Sequence, residues 1–192
     1  MYKTLSCALL LCCGGFAAAG PAPPDAAGCA SCHGDSGVSH KPDVPTIAGM
    51  SAPYLVAQMG AYQKSQRPCA KMSGTDMCEV AKKLTAAQIG SLSSYYAAQK
   101  FVPAAQSIDA ALAAKGKALF GAHCAVCHSD GGSQAADDAG ILAGQWKSYL
   151  QTTLQDYVSG KRVQPDPMKR QTMSLAPADV KALAEYFASE GH

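Results

Sequence analysis

Apolar residues recur at intervals of three and four positions along several stretches of the chain, which is typical of amphipathic helices. The pattern predicts helices over residues 52–64, 85–99, 108–121, 147–159 and 176–190. Thr85 is suited to an N-cap, as are Ser107 and Asp109, and Pro177 is suited to a first helical turn. Alternating apolar positions of useful length do not occur, so no sheet is expected. The predicted fold class is all-α.

The sequence contains an internal duplication. The residues that recur 95 positions later are Cys29, His33, 47–49, Tyr54 and Tyr62, which correspond to Cys124, His128, 142–144, Tyr149 and Tyr157. Further along the offset becomes 91, so that Leu84 corresponds to Leu175. A repeat of this length predicts two tandem domains, 20–102 and 103–192. Residues 100–106 form the linker, extended around Pro103.

The N-terminal segment 1–19 has the features of a secretory signal peptide: one cation at Lys3, an apolar run, and three alanines ending at Ala19. A membrane anchor is disfavoured because the apolar run is shorter than the about 20 residues that cross a bilayer. A lipoprotein modified at Cys12 or Cys13 is a weaker alternative, because a small residue should precede the modified cysteine. We predict cleavage after Ala19 and a periplasmic protein.

Composition excludes several classes of protein. The chain is 48% hydrophobic, with 16 basic against 14 acidic side chains, which does not fit a disordered chain or a nucleic-acid-binding protein. No transmembrane segment is predicted. Nine cysteines are many for 192 residues, and three of them lie within the first 19. Covalent or metal chemistry is therefore expected from the remaining six.

Four of these cysteines form two copies of the pattern Cys-x-x-Cys-His. The copies are Cys29, Cys32 and His33, and Cys124, Cys127 and His128. Two thiols at this spacing each add across one vinyl group of a porphyrin, and the adjacent histidine then reaches the iron. A zinc site would gather four ligands around one ion, and a thioredoxin-like motif would need a βαβ context. The adjacent histidines argue against both, so we predict two covalently bound haem c groups.

The sixth iron ligand decides the function, because a strong distal ligand makes an electron carrier whereas an open position permits catalysis or gas binding. Met77 and Met168 are related by the 91-residue offset, and each lies seven residues before the equivalent leucine, Leu84 or Leu175. Both precede the last helix of their half, where a loop can fold over the porphyrin. They are the predicted axial methionines.

The remaining methionines and histidines are predicted to be fallback ligands, core residues or surface residues. Most methionines fill gaps in apolar cores, and this is the competing interpretation for every candidate. Met72 and Met173 are the fallback ligands, whereas Met50 and Met59 are expected in the core. The histidines outside the two motifs, which we expect at the surface, are His40, His123 and His192.

These residues together resemble the diheme cytochrome c4 family over the whole chain after residue 19. The resemblance rests on the paired Cys-x-x-Cys-His motifs, the Ile/Leu-Ala-Gly-x-x-x-x-Tyr-Leu repeats and the late methionines. Segments 101–112 and 141–150 more specifically resemble the cytochrome subunit of flavocytochrome c sulfide dehydrogenase. The resemblance implies two class I cytochrome c domains about a pseudo-twofold axis and a periplasmic flavoprotein partner that oxidises sulfide. The iron ligands that it implies are His33, Met77, His128 and Met168.

Two departures from the family pattern are notable. Pro45 stands where the family often has a proline whose carbonyl holds the proximal histidine, but Gly140 occupies the equivalent position in the second half. A glycine keeps the carbonyl and loses rigidity. Cys69 and Cys78 have no counterpart in the second half, and we expect them to form a disulfide in an oxidising compartment. That disulfide would restrain the distal loop at Met77.

Three functional classes remain: an electron carrier, a haem enzyme with one labile distal ligand, and a sensory haem protein. Met77 and Met168 argue against an enzyme, and the chain offers no output domain for a sensor. We expect the electron-accepting subunit of a sulfide-oxidising flavocytochrome c, which passes electrons to a downstream redox acceptor. A freely diffusing cytochrome c4-type carrier to a terminal oxidase is the alternative.

Two surface features bear on partners. Lys82, Lys83 and Lys100 either form a docking patch for an acidic partner or belong to a solvated helix face, and the second interpretation is slightly favoured. Trp146 is the only tryptophan and is either an interface anchor or a core aromatic at a helix start.

Overall fold

The computed structural model describes residues 20–69, 71–72, 75–136 and 139–191. The predicted signal peptide and His192 lie outside these residues. The first half contains α1 (Ala26–His33), α2 (Ala52–Gln63), α3 (Met77–Lys83) and α4 (Ala86–Ala97). The second half contains α5 (Ala110–His123), a 3₁₀ turn (Asp130–Gly132), α6 (Lys147–Val158), α7 (Asp166–Thr172) and α8 (Pro177–Ser189). The prediction of an all-α fold is confirmed.

The structure also corrects two sequence expectations. A small antiparallel hairpin pairs β1 (Lys71–Met72) with β2 (Thr75–Asp76), although no sheet was expected. Strands of two residues are too short to produce an alternating pattern. In addition, the two late methionines were expected in loops, but Met77 begins α3 and Met168 lies in α7. Seven-residue helices are too short for a reliable periodic signal.

The predicted helix starts follow from capping. Thr85 Oγ1 accepts a hydrogen bond from the Gln88 backbone N–H at 3.3 Å, and the Gln88 side chain accepts from the Thr85 N–H at 2.9 Å. This capping box fixes the start of α4. Asp109, rather than Ser107, caps α5, because its carboxylate accepts from the N–H groups of Ala111 and Leu112, each at 3.0 Å.

The larger apolar core belongs to the second half, where α5 packs across α8. Phe120, Tyr186 and Phe187 form an aromatic cluster with ring centroids 5.1–5.7 Å apart. Gly116 allows the close approach of the two helices, because a Cβ atom there would lie 2.6 Å from Tyr186 Cβ. The first-half cluster is centred on Ala26, Leu92 and Tyr96 in the equivalent arrangement.

The two halves contact each other through repeat-equivalent residues. Gln145 is fully buried, and its side chain accepts from Thr46 N–H and donates to Thr46 C=O, each at 2.9 Å. The equivalent of Gln145 is Met50, whose Sδ accepts from the Ile141 N–H at 3.0 Å. Because Thr46 and Ile141 are also equivalent, the two contacts are related by a pseudo-twofold axis.

Other bonds attach α6 to the first half. Trp146 Nε1 donates to the Ser39 carbonyl at 3.0 Å, and the Tyr149 N–H donates to the Pro42 carbonyl at 3.1 Å. Trp146 is therefore an anchor between the two halves of one chain. Residues 100–109, which include the predicted linker 100–106, form neither helix nor strand, and the Ala104 N–H donates to the Gly144 carbonyl at 2.8 Å. Among the described helices, none combines the length and the apolar character needed to cross a membrane.

Candidate functional site

The second half contains a cavity that brings four predicted site residues together. It encloses about 1050 Å³ of empty space, its open mouth included, and Cys124, Cys127, His128 and Met168 all line it. The arrangement places both thiols, the histidine and a thioether around one space.

The end of α5 positions three of these residues. Cys124 follows the helix as its C-cap, and its carbonyl accepts from the N–H groups of Cys127 and His128 at 3.1 and 3.0 Å. The turn therefore presents the cysteine pair and the histidine together. Burial raises the pKa of Cys124 to about 11, with a smaller contribution from Cys127, so this thiol is protonated at neutral pH.

Apolar side chains from α6, α8 and the segment before α8 form the wall of this cavity. They are Leu150, Leu154, Leu175, Leu183 and Phe187. An apolar wall of this kind suits a porphyrin ring and excludes water from the iron. The residues present therefore fit a covalently held haem.

In the first half, α1 carries Cys29, Cys32 and His33. His33 is buried, and its Nδ1–H donates to the Pro45 carbonyl at 2.8 Å, which leaves Nε2 as the nitrogen with a free lone pair. Burial lowers the pKa of His33, against the opposing effect of the bond to Pro45. The imidazole is accordingly neutral and oriented, as metal ligation requires.

Met77 is half-buried and is held at the start of α3 by its neighbours. The Asp76 carboxylate caps the helix by accepting from the Glu79 N–H at 2.8 Å. Cys69 and Cys78 form a disulfide with Cα atoms 5.5 Å apart. The side chains of Cys69, Asp76 and Cys78 have their possible metal-binding atoms within 4.8 Å of one another. They are not a metal site, because both sulfur atoms are in the disulfide and the carboxylate caps α3.

The fallback and core methionines occupy different environments. Met173 is 60% exposed at the end of α7, and the side chain of Met72 lies outside the described residues. Met50 is buried at the contact between the halves and also lines the second-half cavity. Met59 is half-buried in α2. Met50 is therefore more than core filling, since it joins the two halves beside the cofactor cavity.

We expected His40 and His123 at the surface, but of these two only His40 is exposed. His40 is exposed, whereas His123 is half-buried, lines the cavity and is 3.1 Å from Gln171 Oε1. Lys82, Lys83 and Lys100 are exposed, which both interpretations of these lysines require.

The glycine at position 140 has a packing explanation. A Cβ atom there would lie 2.8 Å from ring atoms of Tyr54 and 3.0 Å from Met50 Sδ. A proline, as at the equivalent Pro45, would collide with both side chains. Gly140 thus permits the first half to close over the second-half cavity, which Tyr54 also lines.

Two buried arginines, Arg67 and Arg162, were not among the residues predicted from the sequence. Arg67 and Arg162 are equivalent at the 95-residue offset, and they are 8% and 4% exposed. Arg67 lies over the Tyr62 ring at 4.2 Å and Arg162 over the Tyr157 ring at 4.4 Å. Both bond to the same oxygen, Oε1 of Gln58. The offset that pairs the tyrosines was the signal that could have identified them.

The arginines alter the tyrosines around them. Burial raises the pKa of Tyr149, but Arg67 and Arg162 together outweigh this effect and bring it to about 8. Burial alone would lower the pKa of Arg162. The neighbouring tyrosines, Tyr149 and Tyr157 foremost, outweigh burial and raise this pKa above its usual value. This part of the interface is therefore strongly cationic.

The comparisons with known proteins agree with this geometry. The family model described as cytochrome c matches residues 113–190. A thiosulfate dehydrogenase electron acceptor of Thiomonas intermedia is 32% identical over 88% of this chain and 81% of its own length. Cytochrome c4 of Pseudomonas aeruginosa is 31% identical over 90% of this chain and 87% of its own. The structure of cytochrome c4 from Acidithiobacillus ferrooxidans superposes with a TM-score of 0.70 at 32% identity, covering 85% of this chain and 99% of that one.

Proposed function

The chain belongs to the diheme cytochrome c4 family, and on that premise we propose that it accepts electrons from a dehydrogenase that oxidises a reduced sulfur compound. It is a cytochrome c4-type electron carrier with two covalently bound haem c groups. The haem iron supplies one-electron redox chemistry when bound. The cavity lined by Cys124, Cys127, His128 and Met168 is the observation that carries the assignment of the site.

The proposed ligand sets follow the duplication. Cys29 and Cys32 hold the first haem, and Cys124 and Cys127 hold the second. His33 and Met77 would bind the first iron, and His128 and Met168 would bind the second. We assign the first haem to domain 20–102 and the second to domain 103–192.

This chain's residues would keep both centres suited to electron transfer. A thioether is a soft ligand that favours ferrous iron, so methionine raises the reduction potential relative to a second histidine. Pro45 orients His33 through the 2.8 Å hydrogen bond. The disulfide of Cys78 fixes the residue next to Met77. Each of these features favours a closed iron site over one that binds substrate.

The donor is assigned by class. The similarity to a thiosulfate dehydrogenase electron acceptor supports a sulfur-oxidising dehydrogenase as the partner. Segments 101–112 and 141–150 favour a sulfide-oxidising flavoprotein, which we retain as the specific proposal. Because the N-terminal segment matches a signal peptide, the encounter takes place in the periplasm. A freely diffusing carrier to a terminal oxidase remains the second candidate, supported by the similarity to cytochrome c4 of Pseudomonas aeruginosa.

Optical spectroscopy tests the ligand assignment. The ferric holoprotein should show the far-red methionine-to-iron charge-transfer band with the intensity of two haems, and carbon monoxide should not shift the reduced spectrum. The Met77→Ala and Met168→Ala variants should each lose half of the band intensity. Each variant should bind carbon monoxide at the haem of the half that carries the substitution. Met173→Ala, which changes an exposed methionine, should leave both readouts unchanged. A full-intensity band in Met168→Ala would overturn the assignment of that residue.

Stopped-flow reduction tests the donor. The oxidised holoprotein is mixed with a sulfide-oxidising flavoprotein plus sulfide, and separately with a thiosulfate dehydrogenase plus thiosulfate. Rapid, saturable reduction by the flavoprotein alone supports the specific proposal. Reduction by the thiosulfate enzyme alone keeps the class and rejects sulfide as the substrate. Slow reduction by both would favour the freely diffusing carrier.

A further inference from the structure

The helix α7 lies along the second-half cavity and carries Met168. Four of its seven residues line the cavity, and they are Pro167, Met168, Gln171 and Thr172. A helix of about two turns is too short to be stable by itself. Its N-cap residue is Pro165, whose side chain cannot cap the first turn. The position of Met168 therefore depends on contacts that hold α7 against the rest of the second half.

A hydrogen bond from a buried hydroxyl fastens the C-terminal end of α7. Thr172 is 5% exposed, and its hydroxyl donates to Gln164 Oε1 at 2.8 Å. The same Gln164 side chain donates through Nε2 to the carbonyl of Tyr157 at 3.1 Å, near the end of α6. Gln164 thus connects α7 to α6 through both ends of its amide group. Without the hydroxyl, Gln164 Oε1 would lose this donor.

A second bond joins α7 to the end of α5. His123 Nδ1 and Gln171 Oε1 are 3.1 Å apart, and His123 directly precedes the attachment cysteine Cys124. This contact is more exposed than the bond between Thr172 and Gln164, so water competes with it more strongly. The buried threonine is accordingly the main attachment of α7, and the histidine supports it.

The first half holds its short helix by a covalent link at the corresponding place. Arg67 and Arg162 are repeat equivalents, and the residues two positions after them are Cys69 and Gln164. Cys69 forms the disulfide that holds α3, whereas Gln164 forms the hydrogen bond that holds α7. Both helices have seven residues and contain a predicted axial methionine. The second half therefore uses a hydrogen bond where the first half uses a disulfide.

We propose that Thr172 and Gln164 are positioning residues, which hold α7 over the second cavity and thereby keep the Met168 thioether on its iron. The inference rests on the assignment of Met168 as an axial ligand under the proposed function. Both residues act through the position of α7 and not as ligands. A hydrogen bond breaks during local opening of a short helix, and its loss makes such openings more frequent.

Displacement of methionine by cyanide in the ferric holoprotein tests this role. At saturating cyanide, the rate of displacement equals the rate at which the methionine leaves the iron. Thr172→Val keeps the size of the side chain and removes the hydroxyl, so it should accelerate displacement at the second haem by roughly 3- to 10-fold. Thr172→Ser keeps a hydroxyl and should restore most of the original rate. Thr152→Val makes the same replacement at an exposed threonine of α6 and should change neither rate.

Met168→Ala identifies the kinetic phase of the second haem, because this variant has no methionine to displace there. If Met168→Ala keeps both slow phases, the ligand assignment itself is wrong. If it lacks one phase, and Thr172→Val leaves the rate of that phase unchanged, the ligand assignment stands and the positioning role is overturned.

Gln164→Ala provides a second test at a half-buried position, and it applies even if Thr172→Val does not fold. It removes the same bond from the other side and should also accelerate displacement at the second haem. The double variant Thr172→Val, Gln164→Ala should react no faster than the faster single variant, because both substitutions remove one shared interaction. An unchanged rate in Gln164→Ala, or strictly additive effects in the double variant, would contradict the proposal.

Discussion

Gln145 pairs with the backbone of Thr46 through both ends of its side-chain amide, and this contact joins the two halves of the chain. The two hydrogen bonds are each 2.9 Å, and both residues are almost completely buried. Across the pseudo-twofold axis, Met50 accepts one hydrogen bond from Ile141. The two equivalent contacts thus differ in polarity, because a thioether has no donor to return.

Replacing Gln145 should expose this difference as a loss of stability. Gln145→Ala leaves the Thr46 N–H and C=O without partners, at about 1–3 kcal/mol for each buried group, so we expect a loss of about 2–6 kcal/mol. Gln145→Met copies the equivalent contact and leaves one group unsatisfied, so about half of that loss is expected. Urea unfolding of the holoproteins measures both. Equal losses in the two variants would show that the hydrogen bond to the thioether is not formed.

The contact between Gly140 and Tyr54 yields a prediction about close packing. Gly140→Ala places a Cβ atom 2.8 Å from the Tyr54 ring, and overpacking of this kind costs about 1–3 kcal/mol. Gly121→Ala, in α5 with nothing within 4 Å of the added atom, should instead stabilise by about 0.5–1 kcal/mol. Thermal unfolding of both variants makes the comparison. Adding Tyr54→Leu to Gly140→Ala should recover part of the loss, and a strictly additive double variant would contradict the clash.

The long helices could be predicted from the sequence because each combines a periodic apolar face with local caps. The capping box at Thr85 and the cap at Asp109 fix helix starts within a few residues. The short helices that carry Met77 and Met168 could not be found in this way, since seven residues give about two turns. The Asp76 side chain caps α3, whereas α7 has no side-chain cap and has a proline in its first turn. Both helices depend on such local features and on tertiary contacts rather than on an amphipathic repeat.

Site residues could be predicted from the sequence only where the chemistry requires them at a fixed spacing along the chain. The Cys-x-x-Cys-His motifs require adjacency along the chain, so Cys124, Cys127 and His128 were identifiable. Arg67 and Arg162 act through burial and convergence on Gln58, and neither property is visible in composition. Their equivalence under the duplication was visible, but equivalence alone does not distinguish a buried cation from two solvated ones.

The disulfide between Cys69 and Cys78 allows two predictions, one about the number of reactive thiols and one about the free energy of unfolding. Each remaining cysteine after residue 19 belongs to a haem attachment motif, so denatured, unreduced holoprotein should show no reactive thiol, and reduction should release two. Closing a loop of nine residues contributes about 2–3 kcal/mol by the chain-entropy relation. The double variant Cys69→Ser, Cys78→Ser should lose that amount and show a weaker methionine band at the first haem. Two reactive thiols before reduction would contradict the disulfide.

Glu185 is a buried residue of α8 that hydrogen-bonds to the end of the linker. Its carboxylate joins the segment that precedes α5 to helix α8. It accepts from Lys147 Nζ at 2.8 Å through one oxygen and from the Asp109 N–H at 3.0 Å through the other. Glu185→Gln removes the charge while keeping the shape, so the lysine loses its ion pair and one acceptor becomes a donor. We expect a loss of about 1–3 kcal/mol, since a hydrogen bond to a charged group is the stronger kind.

Glu190→Gln is the matched control, because Glu190 follows the same helix and is exposed, and the amide oxygen of a glutamine can still accept the hydrogen bond of the Tyr186 hydroxyl. It should change the free energy of unfolding by less than about 0.5 kcal/mol, as ordinary surface substitutions do. Hydrogen exchange sharpens the test, since the Asp109 amide should lose protection in Glu185→Gln and retain it in Glu190→Gln. Retained protection in both variants would mean that the linker is held by the Asp109 cap and by the contact of Ala104 with Gly144, without the carboxylate.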